Sequence, residues 1–472
     1  MRTAVRHPHR ANIVVCEDYY QPRRTQPPAT RIVPMTPSGS GLARLRDDLL
    51  DRVLSEAAVC GEEAAVFASE LIRIPTVNPP GDAYRECAEL LGVRLEADGF
   101  ETEYLRAPGD DPQRPKINVL GRRRGREERP ALHLNGHIDV VPPGEGWTVD
   151  PFGGEIRDGY LYGRGSADMK AGLASAVFAA EAVRRAGIGL RGTVEISGTV
   201  DEESGGLAGV AHLAATGRVT SRTTDYVIIP EPFSPNRICI GHRGVLWFRI
   251  TARGRIAHGS MPFLGVSAID AAAEAAVGLK EAIGDLVTEL PVVPEGARRP
   301  TINMNSIAGG QVIEGLDSSA ALDGHGQGLP SPCVADQCEL VVDRRYLLEE
   351  GPDAVRAEVR GVLDAVEARR TGIRFEVEEL LSVLPTHTPN DCALVESLAR
   401  AIETATGSAA DLVASPGTYD HKHFQRIGGI GQCVAYGPGE LEQAHQPDER
   451  CLLSDITRST EVMALTIVDL LS

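Results

Sequence analysis

The sequence lacks any Cys-x-x-Cys pair, any apolar run long enough to span a bilayer, and the charged-then-apolar-then-small pattern of a secretion leader. Its nine cysteines are scattered and odd in number, which speaks against a disulfide framework and for reduced thiols serving as small core residues of a cytoplasmic protein. Cations are also short. Against 66 Asp and Glu there are 48 Lys and Arg, a formal charge of −18. That balance disfavours a nucleic-acid or anionic-membrane partner, because phosphate binding is driven by cationic patches. Part of the acidity is available to face bound cations.

What is present comes in blocks. At 472 residues the chain exceeds what one core supports and predicts two or three units, one of them discontinuous. Residues 1–40 include MRTAVRHPHR, YYQPRRTQPPATR and TPSGSG. Rich in Arg, Pro and Ser and without periodicity, they are expected to be a disordered tail, with Met35 as an alternative start and His7 and His9 exposed. From Leu42 the text turns helical (LARLRDDLLDRVL, then EEAAVFASELIRI, then DAYRECAELLGVRLEADG). Strands and helices then alternate: INVLGRR, PALHLNG, the Ala-rich helix ADMKAGLASAVFAAEAVRRAG, GTVEISGTV, the helix GLAGVAHLAATG and DYVIIP.

That alternation predicts an α/β fold, a mostly parallel sheet with helices on both faces, over residues 41–243. It resumes over 383–472 with the helix ALVESLARAIETATG and the strand QCVAYG. Between them, 244–382 reads as an inserted smaller α+β unit. It runs from VLWFRITARG through the helix AIDAAAEAAVGLKEAI, PTINMNSI, CELVVDRRY and the helix DAVRAEVRGVLDAVEARR to IRFEVEEL. Gln311–Pro332, Gly- and Ser-rich, is expected to be a surface loop with a solvated His325.

In open parallel sheets, ligands bind beyond the carboxyl ends of the strands. The ionisable residues there are His137 and Asp139 after PALHLNG, Asp168 opening the next helix, Asp201, Glu202 and Glu203 after EISGTV, Glu231 after DYVIIP, and His445 after QCVAYGPG. Unpaired, so many acids on one rim would repel and titrate away. Divalent metal resolves the conflict. Two imidazoles with several carboxylates suit zinc, with cobalt or manganese as substitutes, and the donors suffice for two sites sharing one bridge. Adjacent Glu202 and Glu203 point to different sides of a strand end, so one is free to bind metal while the other holds water and takes its proton.

GHIDVVPPGEGWTVDPFGGEIRDGYLYGRGSADMKAG, followed by TVDEESGG, PEP, RIAHGSMP and YGPGELEQAHQPDE, resembles the co-catalytic zinc amidohydrolases. That family includes acetylornithine deacetylase, succinyl-diaminopimelate desuccinylase, aminoacylase and glutamate carboxypeptidase. The likeness covers Val59 to Ser472 with the motifs in the family's order. It implies that Asp168 bridges two zinc ions, that His137 and Glu231 complete one site, and that Glu203 and His445 complete the other. It further implies Glu202 as general base and Asp139 as the carboxylate orienting the His137 imidazole. The inserted unit is expected to act as a lid through which a homodimer forms, with His258 supplied by the partner subunit to steady the oxyanion. Arg345 of VVDRRY is expected to grip a substrate carboxylate, Arg344 to be its exposed neighbour, and Asn303 of PTINMN to touch substrate.

Two departures stand out. PCVADQC replaces the family's Asn-x-x-Pro before the Asp-x-Arg strand, and GTYDHKHF (Gly417–Phe424) replaces Thr-Asp-x-Arg. The second places Asp420 in the substrate pocket and makes His421 and His423 a polar wall rather than an extra metal site. His133, His212 and His387 read as packed, structural or exposed residues, His242 as a residue lining the cleft or marking a turn, and Lys170 and Arg164 as structural ion-pair partners of the Asp168 region. The expected reaction is hydrolysis of an amide bond in a small N-acyl amino acid. The alternatives are a dipeptidase or carboxypeptidase of the same family, or an inactive relative that only binds ligand.

Overall fold

A computed structural model describes residues 47–109, 111–310 and 332–472. The expectations placed on residues 1–40 and on nearly all of Gln311–Pro332 lie outside the described residues. The chain divides into two compact units: Arg243–Pro385, and a second in which residues up to His242 join Thr386–Ser472.

The larger unit is built on a nine-stranded sheet. Its centre is parallel. Ala131–His137 lies between Thr193–Thr199 and Tyr226–Ile229, with Cys433–Ala435 beyond. Antiparallel strands Ile117–Arg123 and Glu101–Arg106 extend one side. On the other, Arg237–His242 pairs with Thr386–His387 and with the parallel strand Asp411–Ser415.

The strands Ala131–His137 and Thr193–Thr199 are buried along their whole length, although neither is uniformly apolar. Register explains how. His133, Asn135 and His137 stand beside Glu195, Ser197 and Thr199, so the polar side chains share one face and hydrogen-bond with one another. On the opposite face Gly136 and Gly198 are neighbours. There a Cβ at Gly136 would lie 2.8 Å from Leu173 Cβ, and one at Gly198 would strike Leu91. The helices Lys170–Arg185 and Tyr84–Ala97 thus cover this face, with Asp47–Ile72 and Leu453–Leu471 packed on Lys170–Arg185.

The sequence predicts two helices before Ile72, whereas the structure has one, Asp47–Ile72. The Ala-rich middle keeps its helix propensity, and Gly61 is a contact rather than a break. A Cβ there would lie 2.5 Å from Thr457 Cα, so the bare glycine lets the Leu453–Leu471 helix approach.

The smaller unit is a four-stranded antiparallel sheet in the order Thr301–Gly309, Gln337–Tyr346, Gly244–Arg253, Arg374–Val383. The helices Ala268–Glu281 and Pro352–Arg369 share its core with Leu246, Phe248, Ile250, Leu340 and Val342. Ser267 caps the first helix by accepting the Asp270 N–H. Arg344 is a correction. It alternates with Val342 and Tyr346 onto the buried face, is fully buried there, and pairs with Glu350 and Glu358.

Among the described residues the cysteines are free, six of them buried, and no helix is long and apolar enough to cross a membrane.

Candidate metal centre

Beyond the carboxyl ends of the parallel strands, His137, Asp168 and Glu231 bring one ligand atom each within 4.8 Å of one another, and Asp168, Glu203 and His445 do the same. Asp168 belongs to both groups, and its two oxygens face different ways. Oδ1 lies 2.9 Å from His137 Nε2 and Oδ2 lies 3.3 Å from His445 Nε2. Glu231 Oε1 is 3.9 Å from His137 Nε2, and Glu203 Oε2 is 3.2 Å from His445 Nε2. The five residues named from the sequence as metal donors are therefore gathered in one place.

Local structure fixes His137, the glutamate turn and Asp168. His137 ends its strand, and its Nδ1 lies 2.9 Å from the main-chain carbonyl of Asp139, with the Asp139 carboxylate farther off at 3.7 Å. The orienting task expected of that carboxylate falls to the backbone. The carboxylate instead accepts Asn78 Nδ2 at 2.8 Å and the N–H groups of Glu202 and Glu203 at 3.2 Å each, tying the glutamate turn to the His137 strand. Asp201 stands apart from both donor groups. It adopts a left-handed φ of 73° that starts the turn, and its carboxylate binds Lys116 and the Ala208 N–H.

Asp168 is held by a residue that lies inside the YGPGELEQAHQPDE motif but to which the sequence analysis assigns no role. Buried Glu449 accepts the N–H groups of Gly165, Ala167 and Asp168 through Oε1 and pairs with Arg164 through Oε2. The expected ion-pair role of Arg164 is thus present. Lys170 differs: its ammonium is buried and donates to the carbonyls of Leu71 and Ile74, both at 2.8 Å.

Electrostatics show what these residues need. Burial, reinforced by Asp168, pushes the Glu203 carboxyl up to about 7. Burial and Asp168 also drive Glu231 well above the carboxylate range. Hydrogen bonds to Asp168 and Glu203 raise the His445 imidazole to about 10. Burial opposes ionisation of Asp168, yet the two imidazoles outweigh it and hold the carboxyl below its usual range. Without metal, protons must neutralise the cluster. Divalent cations would replace them, and Glu203 Oε1, buried with no hydrogen-bond partner, is an acceptor waiting for one. The mixed imidazole and carboxylate donors fit divalent metal.

The remaining candidates lie as follows. Glu202 belongs to neither donor group and turns its Oε1 toward Lys422 Nζ at 3.4 Å. Asp420 is buried, with Oδ2 3.3 Å from Asn135 Nδ2 and Oδ1 without a hydrogen-bond partner. Burial and the Glu202 charge push it up to about 7. His421 and His423 are also buried and outside the donor groups. His421 contacts the hydroxyls of Thr386, Thr388 and Tyr419, and His423 Nε2 lies 2.7 Å from the Gly205 carbonyl. In the smaller unit, Arg345 forms a two-point pair with Asp343, and Asn303 stands beside Asp343 on the same sheet face. His258 is exposed, with Nδ1 2.8 Å from Ser260 Oγ.

Two donor groups sharing one aspartate at the open end of a parallel sheet define a metal-dependent hydrolase. The chain belongs to Peptidase family M20/M25/M40, whose model matches residues 133–469, and is a metal-dependent deacylase or peptidase. It is 30% identical over 417 residues to a succinyl-diaminopimelate desuccinylase of Bordetella petrii, covering 87% of this chain and 98% of that one. In fold it is similar to the dipeptidase Dug1p of Saccharomyces cerevisiae (TM-score 0.68, 16% identity, 89% of this chain and 98% of that one). It is also similar to a dinuclear metal-binding peptidase of the M20 family from Bacillus subtilis (TM-score 0.60, 18% identity, 87% and 98%).

Proposed function

We propose that the protein is a dinuclear zinc deacylase that hydrolyses the amide bond of a small N-acyl amino acid, acting as a cytoplasmic homodimer joined through the smaller unit. The observation that carries this reading is Asp168, whose two oxygens each face a separate imidazole and carboxylate. His137, Asp168 and Glu231 would hold one zinc ion, and Asp168, Glu203 and His445 the other. Bound there, the pair supplies Lewis acidity to the scissile carbonyl and to the attacking water.

The chain's own residues do the rest. Asp139 fixes His137 through its carbonyl and the Glu202–Glu203 turn through its carboxylate. Glu202, left out of the donor groups, takes the proton of the attacking water and returns it to the leaving amine, so one carboxylate serves as base and then acid. His258 of a second copy supports the oxyanion. Arg345, Asn303 and Asp420 are the substrate contacts, with Arg345 suited to a carboxylate by its planar guanidinium.

The rival reading is a dipeptidase, since the dipeptidase Dug1p shares this fold. The two separate in one experiment. The zinc-loaded protein is assayed on N-succinyl, N-acetyl and N-formyl amino acids and on dipeptides. Turnover confined to the acyl series supports the deacylase, turnover confined to dipeptides supports the rival, and no turnover with metal bound defeats both.

A further inference from the structure

Two adjacent carboxylates beside a cationic centre pose a physical problem: nothing in their chemistry prevents both from binding metal. Glu203 leans to His445, while Glu202 diverges to Lys422, 3.4 Å away. Lys422 is 3% exposed, and its Nζ lies within reach of the Glu202 carboxylate, a pairing that offsets the cost of burying both groups. Its placement is not left to a flexible stem alone. It lies in the first turn of the short helix His421–Arg426, and that helix is fastened to the glutamate turn by His423 Nε2 on the Gly205 carbonyl. A Cβ added at Gly206 would lie 2.6 Å from Asp420 Oδ1 and 2.9 Å from His423 Nε2, so helix and turn touch closely. From below, Asn135 of the parallel sheet reaches Asp420 at the start of the same helix.

We propose that Lys422 is the positioning residue of Glu202, holding its carboxylate aimed at the attacking water and out of the metal donor set. This deepens the reading of Glu202 as general base and rests on it. The cation sets which way the second glutamate points.

The test uses the full chain loaded with zinc, on whichever substrate of the panel it turns over, with Lys422→Met, Lys422→Arg, Glu202→Gln and the double variant Glu202→Gln/Lys422→Met. Lys422→Met is expected to lower kcat about 10- to 100-fold, the scale of a misplaced catalytic group, with KM within about threefold. Lys422→Arg, which keeps a cation, should recover most of that loss. In the Glu202→Gln background, Lys422→Met should cost nothing further, because the group it positions is already gone. Metal content by atomic emission should stay at two per chain throughout.

A rise in KM with kcat retained would make Lys422 a substrate clamp and overturn the proposal, as would an undiminished loss in the Glu202→Gln background. If Lys422→Met does not fold, Lys422→Gln against Lys422→Arg makes the same comparison. An active Glu202→Gln defeats the general-base reading itself. An inactive Glu202→Gln beside a Lys422→Met with wild-type kcat defeats only the role given to Lys422.

Discussion

Replacing Glu449 by Ala tests how the loop that presents Asp168 is held. The carboxylate is fully buried, accepts the N–H groups of Gly165, Ala167 and Asp168 at 3.0, 2.8 and 3.1 Å, and pairs with the buried Arg164 guanidinium. Truncation strands one charge and three amide donors in the interior. Removing one member of a buried ion pair costs about 3–5 kcal/mol, and each abandoned donor about 1–3 kcal/mol. The groups share one desolvated space, so these figures do not add, and the expected loss is about 4–5 kcal/mol. Urea unfolding of the chelated protein, followed by far-UV circular dichroism, measures it without compensation from bound metal. The dialysed variant should also retain less metal than the wild type, because the Asp168 N–H is one of the three released donors. Glu449→Gln keeps the shape but loses the charge and should fall between. A loss under about 1 kcal/mol with full metal content would refute the role given to this carboxylate.

Glu202→Ala should keep both metals, since Glu202 is in neither donor group, and lose about 10²- to 10⁴-fold in turnover; near-normal turnover would remove it from the mechanism. A strong chelator should abolish hydrolysis and lower the melting temperature, and added zinc should restore both; turnover that survives complete metal removal contradicts the centre. Burial opposes ionisation of Glu195, but the hydrogen bond and charge of His133 and the charge of Arg122 hold its carboxyl below the ordinary 4.5. Its stabilisation is therefore present above that value and lost as pH falls through the lower folded one. Glu195→Gln should accordingly melt earlier than wild type at neutral pH, with the gap closing on acidification; a gap that widens would reverse the sign. Arg344→Met, which leaves Glu350 and Glu358 unpaired, should destabilise the smaller unit by about 3 kcal/mol, measured by thermal unfolding; a stability equal to wild type would mean that both glutamates hydrate freely.

The residues of the two candidate donor groups were legible because they announce themselves by type and place. Imidazoles and carboxylates sit where apolar strands stop, and sheet topology does the gathering. Glu449 was not, because the groups it holds lie 281 to 284 residues away in sequence. Its neighbour His445 gives no hint that a carboxylate four positions on turns inward. Lys422 was quoted as a departure from a motif, but only the fold shows that its ammonium is buried beside Glu202. Arg344 was misread for a different reason: the alternation of its strand does point to the buried face, and a charged residue type overrode that pattern. The strand Glu101–Arg106 escaped notice because ETEYLR is a largely exposed edge strand with no apolar face to betray it.

His133 shows the most instructive gap between pattern and physics. A histidine alternating within a buried strand reads as packing, and it is indeed buried, but it is one link in a row of polar groups. Glu195 Oε2 lies 3.2 Å from His133 Nδ1, His133 Nε2 lies 2.7 Å from Ser197 Oγ, and Ser197 Oγ donates to Asn135 Oδ1 at 2.6 Å. Asn135 Nδ2 then reaches Asp420. Each contact needs its neighbour in one orientation, because a buried polar group left unmatched would cost more than the bond it forgoes. An apolar row would bury as easily but would let the side chains above it settle in several ways. The polar row allows one arrangement, and it ends on the helix start that sets Lys422 against Glu202.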